Sequence, residues 1–140
     1  MHSTSSIARP PVGSVAAARS RYKADGGMTA SPERLVVLLY QRLVRDLVEA
    51  EGAIERGEIE ASHHLLIHAQ EIIDALDLAL DRDAWDGAQG LGDLYAHLHD
   101  RLVDANVAKD ARIVVQCRAM IEPLSDAWRD AWGSLAAGGT

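Results

Sequence analysis

Apolar and polar positions divide this chain at Ser31. Before it, Ser, Ala, Gly and Pro dominate, and Pro10-Pro11 and Gly26-Gly27 interrupt any regular period, so residues 1–29 read as a flexible leader. After it, apolar residues recur every three or four positions, the period of a helix buried along one side. Val36, Tyr40, Leu43, Leu47, Ala50 and Ile54 make one stripe, widened by Val37, Val44 and Val48. Ser31 suits an N-cap, Pro32 the first helical position, and Glu33 the positive end of the helix dipole. The unbroken apolar run from Leu35 to Tyr40 then demands cover on several sides.

The spacing predicts a first helix over about 32–56, ended by Gly57, with a second starting at once over 58–80. So short a connection makes the two antiparallel neighbours. In the second, Leu65, Ala69, Ile72, Leu76 and Ala79 form a stripe flanked by Leu66, Ile73 and Leu80. Gly87 and Gly90 mark a loop over 81–90. Leu91, Leu94 or Tyr95, Leu98, Leu102 and Ala105 carry a third helix to about 109. A fourth, from 111, bears Ile113, Cys117, Met120, Leu124, Ala127 and Ala131, with Val114, Ile121, Trp128 and Trp132 on the adjoining stripe. Pro123 removes a backbone donor inside it, which predicts a kink or break. The expected architecture is all-α: an antiparallel up-and-down four-helix bundle over 30–135, with a flexible N-terminal segment and a flexible tail over 136–140.

Composition narrows the function classes. The 140 residues suit one domain, and the single cysteine excludes an internal disulfide. No apolar run approaches the length of a membrane span, and the leader lacks the apolar core of a secretory signal, so a cytoplasmic protein is expected. Residues 1–30 carry a net charge of +3; the whole chain being −7, the rest carries −10. A body that acidic repels phosphate backbones, which argues against nucleic acid as the main partner.

Catalytic chemistry is sparse. His64 and His68 have metal-ligand spacing but lack the glutamate of a zinc-protease helix and any evident third ligand. Asp81, Asp83, Asp86 and Gly87 fail as a calcium loop, because Trp85 occupies the fifth position and Asp86 the sixth, where glycine is required. Cys117 falls on a core stripe with no neighbouring base, and His97 and His99 diverge around Leu98. No Gly-rich phosphate loop is present. The expectation is a protein that is not an enzyme and needs no metal or cofactor.

The ordered motifs Arg21-Tyr22-Lys23, Ala30-Ser31-Pro32-Glu33-Arg34-Leu35 through Leu39-Tyr40, and Ala69-Gln70-Glu71-Ile72-Ile73-Asp74-Ala75-Leu76 carry a resemblance to a known family. Leu94-Tyr95, Arg101-Leu102-Val103-Asp104-Ala105-Asn106 and Leu124-Ser125-Asp126-Ala127-Trp128 continue it. In this order the chain resembles the flagellar secretion chaperones, the FliS family, from about Arg21 to Ala131. The resemblance implies a cytoplasmic chaperone that binds the C-terminal segment of flagellin, prevents premature polymerisation, and assists delivery to a flagellar type III export-gate component. Some relatives also bind a flagellar regulator, an anti-sigma factor. It further implies a client lying around the bundle in apolar grooves, with Tyr22 as the leader's movable plug.

The expected client-binding set follows from that resemblance. Tyr40 would be a groove wall with its hydroxyl near solvent, and Leu76, Leu94, Tyr95, Leu98, Leu102, Ala105 and Asn106 would line a groove around the second and third helices. Asn106 would bond client backbone, and Arg101 would meet an acidic or polar client group. The position two after Tyr95, often tyrosine in the family, is His97 here, which would make affinity depend on pH. Two rival classes remain at this level. One is a self-associating helical adaptor that does not bind flagellin; the other is a metal or thiol enzyme built on His64 and His68 or on Cys117.

Overall fold

The computed structural model describes residues 31–138, with side-chain surroundings through Ser134. Among these residues it contains four helices: α1 Pro32–Glu55, α2 Ile59–Ala79, α3 Ala88–Ala108 and α4 Ala111–Gly138. The leader, Tyr22 within it, lies outside the described residues.

The helix ends follow from local chemistry. The Ser31 hydroxyl accepts from the Arg34 backbone N–H at 3.1 Å, relieving one unpaired donor at the α1 start. Gly57 takes φ of 73°, and the N–H of Glu58 returns to the Ala53 carbonyl at 2.9 Å. The chain therefore reverses within three residues. Lys109 takes the left-handed conformation at the end of α3, φ 53° and ψ 48°, and Asp110 caps the Arg112 N–H at 2.9 Å. The α3–α4 reversal is thus two residues long.

Short reversals place consecutive helices side by side and antiparallel. α1 packs against α2 and α4, α3 packs against the same two, and α4 closes the ring. The core runs along the middle, from Val36, Val37 and Tyr40 through Leu47, Leu66, Ile73, Leu98, Leu102, Val114 and Ile121. These are the stripes the periodicity marks.

Two boundaries differ from expectation. α3 starts at Ala88, three residues before Leu91, and so takes in Gly90. Ala88 is fully buried, and the Leu91 N–H bonds the Gly87 carbonyl at 3.0 Å; this gain outweighs glycine's entropic cost of about 1 kcal/mol in a helix. α4 passes through Pro123 without a break and continues to Gly138, beyond the boundary expected at 135. Pro123 and Ala119, whose carbonyl loses its usual partner, are both exposed, so water can bond the freed oxygen.

Among the described residues one buried side chain is a carboxylate, alongside the neutral polar Ser62, Gln70 and Ser125. Asp46 falls on the α1 core stripe between Leu43 and Leu47 and is fully buried. Its carboxylate accepts from Arg42 Nε at 3.1 Å, and its other oxygen meets His68 Nδ1 of α2. The contact ties α1 to α2 and engages one of the two histidines that share metal-ligand spacing.

Two stability outcomes follow. Pro123→Ala restores a helical donor at an exposed site and should raise unfolding free energy by about 1–3 kcal/mol in urea titrations. Asp46→Ala removes the interhelical acceptor and should lower it by about 2 kcal/mol. His68→Ala, a half-exposed partner, should lower it by less.

Candidate functional site

The expected site residues fall into two groups. Tyr40, Leu76, Tyr95, Leu98, Leu102 and Ala105 are interior side chains; Leu98, for example, is 1% exposed. They build the bundle core, and Leu76 and Tyr95 also reach the walls of pockets at its edge. Leu94 is half-buried against that core. The expectation of a Tyr40 hydroxyl near solvent is corrected: the residue is 0% exposed. Its hydroxyl meets that of Tyr95 at 2.5 Å, and its ring stacks on Trp128 with centroids 6.1 Å apart. Burial pushes the Tyr40 hydroxyl up to about 12 and raises that of Tyr95 well above its ordinary 10. The Trp128 N–H lies near enough to the Tyr40 oxygen to oppose that rise slightly, without reaching hydrogen-bond geometry.

Arg101 and Asn106 lie at the surface edge of α3 and are both already engaged. Arg101 Nη1 donates to Asp104 at 3.0 Å. Asn106 accepts from Lys109 Nζ at 2.6 Å, and its amide nitrogen lies 3.0 Å from His63 Nδ1 on α2. Asn106 therefore stitches α2 to α3 as well as standing at their seam. His97 is exposed. Cys117 is buried, and burial pushes its thiol up to about 11, which leaves little thiolate for chemistry. Among the described residues no three His, Cys, Asp or Glu side chains gather in metal-binding geometry.

Part of the accessible chemistry lies along the α2–α3 seam, and a pocket of about 320 Å³ lined by Gln41, Val44, Glu122 and Arg129 lies between α1 and α4. Ile59, His63, Ile67, Asp74 and Asp77 share one helical edge of α2, outside the core stripe. On α3, Val107, Val103, Asp100, His99 and Ala96 run the opposite way beside it. Ile59 is 65% and Val107 83% exposed, with Ile67 and Val103 also open. That end of the seam is apolar. At the other end Ile73, Tyr95 and Ala96 floor a pocket of about 190 Å³, edged by Asp74, Asp77, Asp100 and His99. Asp77 holds Arg82 at 2.7 Å, and His99 Nε2 lies 3.7 Å from Asp74. The seam thus grades from apolar to acidic over the length of two helices.

Residues 15–134 match the family described as Flagellar protein FliS. The chain belongs to the FliS family. It is 30% identical over 110 residues to the flagellar secretion chaperone FliS of Bacillus subtilis, covering 79% of this chain and 82% of the relative. It is 31% identical over 104 residues to FliS of Salmonella typhimurium (73% and 77% of the two chains), and 34% over 100 residues to FliSB of Pseudomonas aeruginosa (71% and 79%).

Membership of the FliS family accounts for the motifs, but the burial pattern adds what they did not reveal. Ile59, Ile67, Val103 and Val107 were missed because they lie off the core stripes. Their signal was present nonetheless: bulky apolar residues out of phase with the burial period. The Asp46 contact with His68 had its own signal, a carboxylate placed between two leucines of an interior stripe.

The hydroxyl pair has a pH consequence. A tyrosine whose folded pKa is raised contributes stability that is complete below pH 10, its unfolded value, and is lost as pH climbs through the folded value. Absorbance at 295 nm should therefore show Tyr40 and Tyr95 silent at pH 10–11. Their ionisation should coincide with loss of helical ellipticity at higher pH.

Proposed function

We propose that this chain is a secretion chaperone of flagellar assembly whose client is the C-terminal segment of flagellin, held in the cytoplasm before export. The observation that carries this reading is the exposed apolar end of the α2–α3 seam in a protein of the FliS family. A chaperone for a segment that must not yet assemble needs long apolar surface on a rigid support, not a catalytic pocket. Two antiparallel helices with outward Ile59, Ile67, Val103 and Val107 supply that surface as an extended track, suited to an amphipathic helix laid in a groove. By holding the segment's apolar face, the chaperone keeps it from packing into a filament.

The acidic end refines the same reading. Asp74, Asp77 and Asp100 favour polar or basic client side chains at that end and disfavour acidic ones. Leu76, Leu94, Tyr95, Leu98, Leu102 and Ala105 act from beneath, fixing the spacing of α2 and α3, while Tyr40 anchors Tyr95. Arg101 and Asn106 border the track and reach client once their present partners release them. Handover to an export-gate component, and to a flagellar regulator where one competes, requires only that the client leave the track intact.

Calorimetric titration with the C-terminal peptide of the same organism's flagellin tests the reading. One-to-one binding with a negative heat-capacity change is expected, since apolar surface is buried as the peptide orders. Val103→Glu, at an exposed position, should weaken binding about tenfold or more while leaving the helical circular dichroism unchanged. Absence of binding by the wild-type chain would remove flagellin as the client.

A further inference from the structure

Within the apolar end of the track, one position is polar. His63 stands four residues from Ile59 and four from Ile67 on the same edge of α2, about 6 Å along the helix from each. Ile59 is 65% exposed and Ile67 36%. A segment laid over both isoleucines therefore covers His63 between them.

The state of this ring follows from its neighbours. Lys109 Nζ, 2.6 Å from Asn106, has only protons to give, so the Asn106 atom it meets is the carbonyl oxygen. The Asn106 amide nitrogen consequently faces His63 Nδ1 at 3.0 Å and donates to it. Nδ1 can accept only while it carries no proton, which makes the ring neutral with its proton on Nε2. Protonation would set two donors against each other here and add a charge near the Lys109 ammonium.

The other ionisable groups around the ring do not hold it charged. Among the described residues the histidines paired with carboxylates are His68 and His99, not His63. His64 lies beside it with ring centroids 5.8 Å apart, and the exposed Glu60 precedes it by one turn. Arg56 and Glu58, in the turn before α2, pair with each other, and Asp110, in the α3–α4 turn, holds Arg112. α1 meets the opposite edge of α2, where Asp46 engages His68. In the free protein, water supports a charged ring at this exposed position; under the apolar face of a client it does not.

Resting on the flagellin reading above, we infer that His63 makes client binding proton-sensitive: the track receives the client with His63 neutral and bonded to Asn106, and a proton on Nδ1 opposes binding. By linkage, a client that takes the neutral form drives the proton off a ring that starts charged. The neutral ring keeps one donor, Nε2–H, which a single client carbonyl satisfies. The seat of pH dependence thus moves from His97, which is exposed and off the seam edge, to the seam itself.

The test is calorimetric titration of the full chain with the same flagellin peptide at pH 8 and pH 5.5. Histidine side chains ordinarily pass from neutral to charged near pH 6.5, so about one in ten is neutral at pH 5.5. A client that takes only the neutral form should bind about tenfold more weakly there. His63→Gln, which cannot become charged, should show matching affinities at the two pH values, whereas His97→Gln should keep the tenfold fall. At pH 6.5, binding enthalpies in buffers of different ionisation enthalpy should reveal a proton release by the wild type that His63→Gln lacks. An equal fall in His63→Gln and the wild type, or no fall in the wild type, would overturn the inference and leave the flagellin reading standing. Failure of the wild type to bind at pH 8 would overturn both, so the two failures are distinguishable.

Discussion

A hydroxyl-to-hydroxyl bond of 2.5 Å crosses the bundle from Tyr40 on α1 to Tyr95 on α3, two helices on opposite corners whose backbones nowhere pack together. Apolar packing between neighbouring helices is non-directional and tolerates small slides and rotations. A buried polar bond does not, because losing its geometry leaves two stripped hydroxyls. The contact therefore fixes the height of α3 relative to α1. Trp128 stacks on Tyr40 and brings α4 into the same arrangement. Since α3 packs less extensively on its neighbours than α1 does, this one bond matters most for the helix that forms half of the proposed client track.

Other polar contacts tie neighbouring helices together at other heights. Asp46 joins α1 to α2 through His68, and Glu51 joins α1 to α4 through Arg118 at 2.8 Å. His63 and Asn106 join α2 to α3 at the opposite end from the tyrosines. Each of these neighbouring pairs carries at least one directional contact. Cys117, the remaining reactive group, is buried with its thiol pushed up to about 11.

How much of this was readable in the chain depends on what kind of signal carried it. Four helices and their core stripes follow from a 3.6-residue period that burial enforces, so Val36, Leu47, Leu66, Leu102 and Ile121 could be placed directly. Helix ends were less legible. Gly90 looked like a loop residue, and only the burial of Ala88 explains its place inside α3. Pro123 looked like a kink or break, and its exposure accounts for the helix running on without a break. The site was hardest to read, because periodicity reports what a helix buries in its own bundle. Leu98 and Ala105 match that period so well that they belong to the core, whereas the surface proposed for a partner consists of residues that violate it. Pairings such as Tyr40 with Tyr95, 55 positions apart, leave no local trace at all.

The distribution of the violating residues constrains how a client can be held. Ordering a disordered segment costs about 2–5 kcal/mol before any net affinity appears, and association adds its own entropic cost. Burying a large aliphatic side chain completely returns about 1.5–3 kcal/mol, and those already half-covered return proportionally less. Ile59, Ile67, Val103 and Val107 together therefore offset the ordering cost but leave a modest surplus. Among the described residues, other large exposed aliphatics stand away from the seam: Leu38 and Val48 on α1 and Val115 on α4. A segment confined to one groove cannot reach them. Tight binding thus requires a client that bends around the bundle and touches several faces. A long, initially unstructured terminus can do this, whereas a preformed straight helix cannot.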